Sequence, residues 1–241
     1  MRKSMILAAV LTVMGAATAL AQGIVVNKTD GSKVYFKASE VVSVTTYGYG
    51  EDGPHAPANA VAVDLGLPSG TMWANMNVGA EKSEDYGDYF AWGETEPKEV
   101  YNWDTYKYYD GSNCVDIGSD IAGTAYDAAT ANWGTPWCMP SVGQIKELLE
   151  NCSYEWTTLN GVKGGKFTSK KNGNSIFLPA AGNRWNGEFY DVGAYGYYWS
   201  STLYESGPLN AYYLDFYSGY AYWHYLGDRN LGQSVRPVRK N

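Results

Sequence analysis

The stretch that decides the fold is Asn210-Ala-Tyr-Tyr-Leu-Asp-Phe-Tyr-Ser-Gly-Tyr-Ala-Tyr-Trp-His-Tyr225. At a period of two, Tyr213, Asp215 and Tyr217 take one side of a strand, and Leu214 and Phe216 take the other. Ser218-Gly219 is a turn signal, after which Tyr220, Tyr222 and His224 resume the alternation on one face. The pattern predicts a hairpin with one packed face and one tyrosine-rich face. Half of the chain's 22 tyrosines lie between Tyr190 and Tyr225. Tyrosine joins a large apolar body to a polar tip with few rotors, so such a face suits recognition at low entropic cost.

Working outward, Tyr197-Tyr-Trp-Ser-Ser201 and Ser175-Ile-Phe-Leu178 read as strands. Ser234-Val-Arg-Pro-Val238 is a final strand that lies at an edge or ends at Pro237, which lacks a backbone donor. Ser141 opens a helix over Val142–Asn151, with Gln144 completing a capping box. Val142, Ile145, Leu148 and Leu149 share one side of it, and Lys146, Glu147 and Glu150 face water. Tyr126 to Trp133 predicts a second, shorter helix. Val61–Leu65 and Met72–Met76 read as paired strands around Pro68-Ser-Gly70. Tyr89–Glu94 reads as an aromatic strand, and Tyr101–Thr124 as a long structured loop. Short strands with about two helices predict an α+β chain.

Composition narrows the function. Aromatic content of 15% with 28 Gly favours strands and tight turns. A net charge of -7 argues against a nucleic-acid surface, which needs clustered Lys and Arg. Arg2-Lys3, the apolar run Met5–Leu20 and Ala19-Leu-Ala21 predict a signal peptide over residues 1–21 and an exported chain. No later segment reaches the roughly 18 apolar residues of a membrane span. Residues 22–47 predict a short β-rich segment, with strands at Ile24–Val26, Val34–Phe36 and Val41–Thr45. Residues 48–59 predict a Gly/Pro linker, and residues 60–241 the main domain. Cys138 and Cys152 flank the longer helix and are either a disulfide or buried thiols. Two histidines and no Cys-x-x-Cys spacing argue against a metal site, and no cofactor motif is present. Asp110, Asn113, Asp116 and Asp120 lack EF-hand order and read as solvated loop residues in preference to calcium ligands.

Four motifs in order carry a family resemblance. They are Trp133-Gly-x-x-Trp-Cys-Met-Pro-Ser141, Ile176-Phe-Leu-Pro-Ala-Ala-Gly182, Tyr198-Trp-Ser-Ser-Thr202 and Gly232-x-Ser-Val-Arg-Pro-Val238. Together they resemble the Fibrobacter succinogenes major paralogous domain over residues 60–239, although Cys138 stands where that family often has Arg. The resemblance implies a C-type lectin-like fold, with small antiparallel sheets, two helices, paired terminal strands and a ligand face in the C-terminal half. The tail also resembles a target of a diversity-generating retroelement. That likeness implies a constant frame (Leu214, Phe216, Trp223, Arg229) beneath exchangeable contacts. The expected ligand-binding residues are Tyr213, Asp215, Tyr217, Tyr220, Tyr222, His224, Tyr225, Asp228 and Asn230. Leu226, Gly227 and Leu231 belong to the same exchangeable set.

Other functions compete. His224 near Asp215 or Asp228 suggests acid–base chemistry, but no Ser or Cys nucleophile motif accompanies it. Glu94, Glu96 and Asp104 suggest glycosidase carboxylates, yet nothing in the sequence fixes their separation. The formylglycine-generating enzyme, which shares the lectin-like fold, uses cysteines near its C-terminus, whereas all three here lie at or before Cys152. The expectation is a non-enzymatic module that binds a protein or glycan. A structural component of the envelope is the alternative, and a carbohydrate-active enzyme the weaker third.

Overall fold

The structure is a computed structural model that describes residues 24–27, 33–36, 49–50 and 53–240. The expected signal peptide and the Val41–Thr45 strand lie outside the described residues. Backbone contacts divide the chain into two compact units, residues 1–47 and 48–241. In the first, β1 (Ile24–Asn27) pairs antiparallel with β2 (Lys33–Phe36), Val26 opposite Val34.

The second unit is mixed α+β. Stretch 48–59, expected as a linker, is grouped with this unit. Within it β3 (Tyr49–Gly50) pairs with β4 (Gly53–Pro54), and Ala56 packs on the core. The strands β5 (Ala62–Asp64) and β6 (Thr71–Ala74) form the expected antiparallel pair. β7 (Tyr89–Phe90) follows, and the long loop after it holds one 3-10 turn, Trp103–Thr105.

Two α-helices are described. In α1 (Ala128–Trp133), Asp127 caps the first turn through Ala129 and Thr130 N–H groups. α2 (Val142–Asn151) has the expected capping box between Ser141 and Gln144, and it buries Ile145 and Leu148. Its apolar side packs on the sheet that carries the tyrosines.

A three-stranded sheet of β8 (Cys152–Leu159), β9 (Val162–Ser169) and β10 (Ser175–Pro179) comes next. A short hairpin of β11 (Asn183–Trp185) and β12 (Glu188–Tyr190) follows it. The central sheet has five strands in the order β15-β14-β13-β16-β7. Its members are β13 (Tyr195–Leu203), β14 (Asn210–Tyr217), β15 (Ala221–Asp228) and β16 (Gln233–Ser234), with β7 at one edge. β13 meets β16 in parallel, Tyr198 opposite Ser234, so this sheet is mixed and not purely antiparallel as expected. The strand expected over Ser234–Val238 is not continuous: β16 ends at Ser234, and residues 235–237, with Pro237 last, lie outside any strand. Beyond it, β17 (Val238–Lys240) leaves β16 and pairs with β6.

Candidate functional site

Register alone assembles the face of β13, β14 and β15. Tyr195 stands opposite Tyr217, Tyr197 opposite Asp215, and Trp199 opposite Tyr213. Across the other edge of β14, Tyr213 stands opposite Tyr225 and Asp215 opposite Tyr222. Directly paired residues share a face, so Asp215 occupies the centre of an aromatic grid. At the turn, the Tyr217 N–H donates to the Tyr220 carbonyl at 3.0 Å, which folds Tyr220 back beside the face.

The rings close on themselves. Centroid separations run Tyr195–Tyr197 5.7 Å, Tyr197–Tyr213 5.8 Å, Tyr213–Tyr225 6.0 Å and Tyr225–Tyr222 5.8 Å. The circuit continues through Tyr222–Tyr220 at 4.3 Å and Tyr220–Tyr217 at 4.5 Å, returning to Tyr195 at 5.2 Å. Edge and tilted contacts of this kind are the favoured aromatic geometries. Tyr220, Tyr222 and Tyr225 are exposed, and the other four rings are half-buried.

Inside the circuit Asp215 is only 6% exposed, and its buried Oδ1 accepts no hydrogen bond. Burial first, and then repulsion from Asp191, pushes its carboxyl up to about 6. Asp127 shows the usual alternative. Its carboxylate, also buried, accepts from the Ala129, Thr130, Gly123 and Met139 N–H groups and from the Thr130 hydroxyl. Buried carboxylates ordinarily collect donors in this way, and Asp215 collects none. Tyr197 donates instead to Asp191 Oδ2 at 2.9 Å, and burial together with that bond raises its phenol above the usual range.

The frame below is rigid. Leu214 and Phe216 are fully buried, as the alternation predicts. Phe216 stacks on Tyr198 at 5.7 Å and meets Phe167 edge-on at 5.9 Å. Gly196 lies directly under Phe216, and a Cβ there would come within 2.0 Å of the ring. The Trp199 indole N–H donates to the Phe90 carbonyl at 2.8 Å, and Arg229 is buried over Trp92 with its donors on Tyr106, Pro208 and Val115.

A family model described as "Domain of unknown function (DUF8237)" matches residues 153–238. The matched span takes in all seven tyrosines and Asp215. No curated protein and no solved structure matches the chain.

Three expected site residues fall elsewhere. The register slips between Tyr213 and Asp215, so Trp223 and His224 together oppose Leu214 in a β-bulge. That brings Tyr225 onto the face in place of His224, which is exposed and sits at its margin, 4.6 Å from the Trp223 ring and 5.5 Å from the Tyr222 ring. Asp228 sits opposite Asn210 at the far end of the hairpin, accepting from its Nδ2 at 2.8 Å, roughly 20 Å along the strand from Tyr222. Asn230 is 2% exposed and belongs to the interior. Gly227 is buried too, with Trp199 and Tyr213 each 3.1 Å from where a Cβ would stand. The exchangeable set is therefore not uniformly outward.

Tyr195, Tyr197 and Asp191 complete the site but were absent from the expected residues. The period-two pattern Tyr195, Tyr197, Trp199 against Gly196, Tyr198, Ser200 carries the signal for the two tyrosines. Asp191 has no such signal, because it reaches the face only through the turn after β12.

The remaining candidates are committed elsewhere. Glu94 is ion-paired with Lys98 at 2.8 Å and accepts from the Lys107 N–H. Asp110, Asp116 and Asp120 each cap their own turns, accepting from Ser112, Gly118 and Ala122 N–H groups respectively. Among the described residues no group of three His, Cys, Asp or Glu gathers as a metal ion would need. Cys152 is a buried free thiol, pushed up to about 11 by burial, in place of a disulfide. Among the described residues no helix is long and apolar enough to cross a membrane.

A depression of about 300 Å³ adjoins the circuit, lined by Trp156, Lys163, Tyr195 and Tyr217 among others. A second, of about 360 Å³, lies against Asn75, Thr157, Lys166 and Phe177, where Lys166 is the one titratable lining group.

Proposed function

We propose that this chain is an exported ligand-binding module that recognises a protein or glycan through its tyrosine circuit. The observation that carries the reading is the closed ring of seven tyrosines over the buried Leu214 and Phe216. Aromatic side chains placed on a preorganised sheet bind without much further ordering. The carrier in this proposal is a C-type lectin-like domain of the Fibrobacter succinogenes major paralogous kind. Support comes from two helices, small sheets, a last strand paired beside the domain's first strands, and a face built by the C-terminal half. The tail is proposed to be diversified by a retroelement, supported by side chains at Tyr213, Tyr217, Tyr220, Tyr222 and Tyr225 that stand clear of Leu214 and Phe216.

The test replaces Tyr217, Tyr220, Tyr222 and Tyr225 together with Ser and screens both proteins against a glycan array and a displayed peptide library. Binding by the parent and loss in the variant, with thermal unfolding nearly unchanged, is the expected result. A collapse of stability would make these residues core and end the proposal, as would binding indifferent to the change. A nearby reverse transcriptase, with a template repeat differing from the tail only at adenines, tests the diversification separately.

A further inference from the structure

Resting on that reading, we infer that the circuit is built to receive a cation, the ammonium or guanidinium of a Lys or Arg side chain presented by a protein partner. Three observations converge on it. Asp215 lies at the centre of the ring, more than nine-tenths buried, with Oδ1 accepting nothing. Among the described residues its acidic neighbour is Asp191, and no ion pair reaches either carboxylate. Among the described residues no Lys or Arg covers a face of the seven tyrosines either. The cations that sit over rings are placed on Tyr101, Tyr106, Tyr108, Phe189, Trp92, Trp137 and Trp223, and on none of the seven. Lys163 lines the adjoining depression beside Tyr195 and Tyr217 without covering a ring.

A buried charge without a partner is costly, and the described residues supply none for Asp215. An aromatic wall around a carboxylate offers a cation two attractions at once, the ring quadrupoles and a desolvated counter-charge. A neutral sugar would meet the rings and donate hydroxyls to Asp215, but it would bring no counter-charge. Charge complementarity therefore selects a basic protein segment over a neutral glycan. The chain's own net charge of -7 acts in the same direction at longer range.

The experiment titrates N-acetyl-arginine methylamide and its neutral isostere N-acetyl-citrulline methylamide into the intact protein, following tyrosine ring resonances by NMR. Parent protein, Asp215→Asn and the four-tyrosine Ser variant are compared. The expected result is saturable binding of the arginine probe at least about tenfold tighter than the citrulline probe, confined to circuit rings, with the preference gone in Asp215→Asn. Asp215→Asn removes an unpaired charge and keeps the side-chain shape, so it should fold, and its thermal unfolding is recorded alongside. Equal affinity for the two probes overturns the inference, and so does an undiminished preference in Asp215→Asn or the absence of any saturable shift. If library ligands need the tyrosines yet carry no Lys or Arg and ignore Asp215→Asn, this inference fails while the recognition reading stands. If no ligand depends on the tyrosines, the recognition reading itself fails.

Discussion

Asp215 is held in the folded chain against its own hydration, and that has a signed consequence for pH. Its folded value of about 6 lies above the ordinary 3.8, so the folded chain holds the proton more tightly than the unfolded chain. The contribution to stability is then fully present below pH 4 and is lost as pH rises through 6. Asp215→Asn abolishes the titration. The variant should gain on the parent by about 2 kcal/mol between about pH 4 and pH 7, measured by denaturant unfolding across that range. A difference that does not change with pH would refute the account. At the same scale, Tyr197 spends its hydroxyl on Asp191 and leaves Asp215 unpaired.

At the scale of elements, the hairpin β8–β9 is fixed by Asn160-Gly161, both at positive φ (48° and 88°). Nothing lies within 4 Å of a Cβ built at Gly161, so Gly161→Ala meets only backbone strain. It should cost about 1 kcal/mol in thermal or chemical unfolding and leave the tyrosine resonances unmoved. Asn-Gly between β-prone runs is a strong hairpin signal, and the same pair recurs at Asn186-Gly187 between β11 and β12. Neither hairpin is among the expectations from sequence, and for β8–β9 the physical reason sits in β9. Gly164 and Gly165 look like turn residues, yet they are strand positions kept bare. A Cβ on Gly164 would meet the Leu178 carbonyl at 2.3 Å, and one on Gly165 would meet the Tyr154 ring at 2.7 Å. The alternation at Leu214 and Phe216 and the α2 capping box were legible because each rests on local chemistry. The bulge at Trp223 and His224 was not, since a bulge leaves the composition of a strand unchanged and shows only in its partner's register. The burial of Asn230 and Gly227 likewise depends on contacts with Trp199 and Tyr213 that no local pattern encodes.

For the second unit as a whole, buried arginines serve as cross-ties. Arg236 is completely buried and donates to Asn77 Oδ1 at 2.8 Å and to the Ala74 and Phe177 carbonyls at 3.0 Å each. One side chain thus joins the segment between β16 and β17 to β6, to the loop after β6 and to β10. Burial draws its pKa down to about 10, and Tyr198 partly restores it, so the guanidinium stays charged at neutral pH. Arg236→Met would leave three acceptors dry and should cost about 3 kcal/mol or more. Because the tie spans several sheets, the loss should appear as one lower-temperature transition for the unit, recorded by calorimetry. A variant that melts with the parent would show that these acceptors find other donors.

The closed ring of tyrosines also bears on how the molecule handles light. Each ring lies within 6.0 Å of the next, and Tyr213 meets Trp199 edge-on at that same distance. Excitation absorbed anywhere around the ring can hop between neighbours and drain into the indole, which absorbs at lower energy. Trp199 is sealed from water and anchored to Phe90, so its emission lies to the blue.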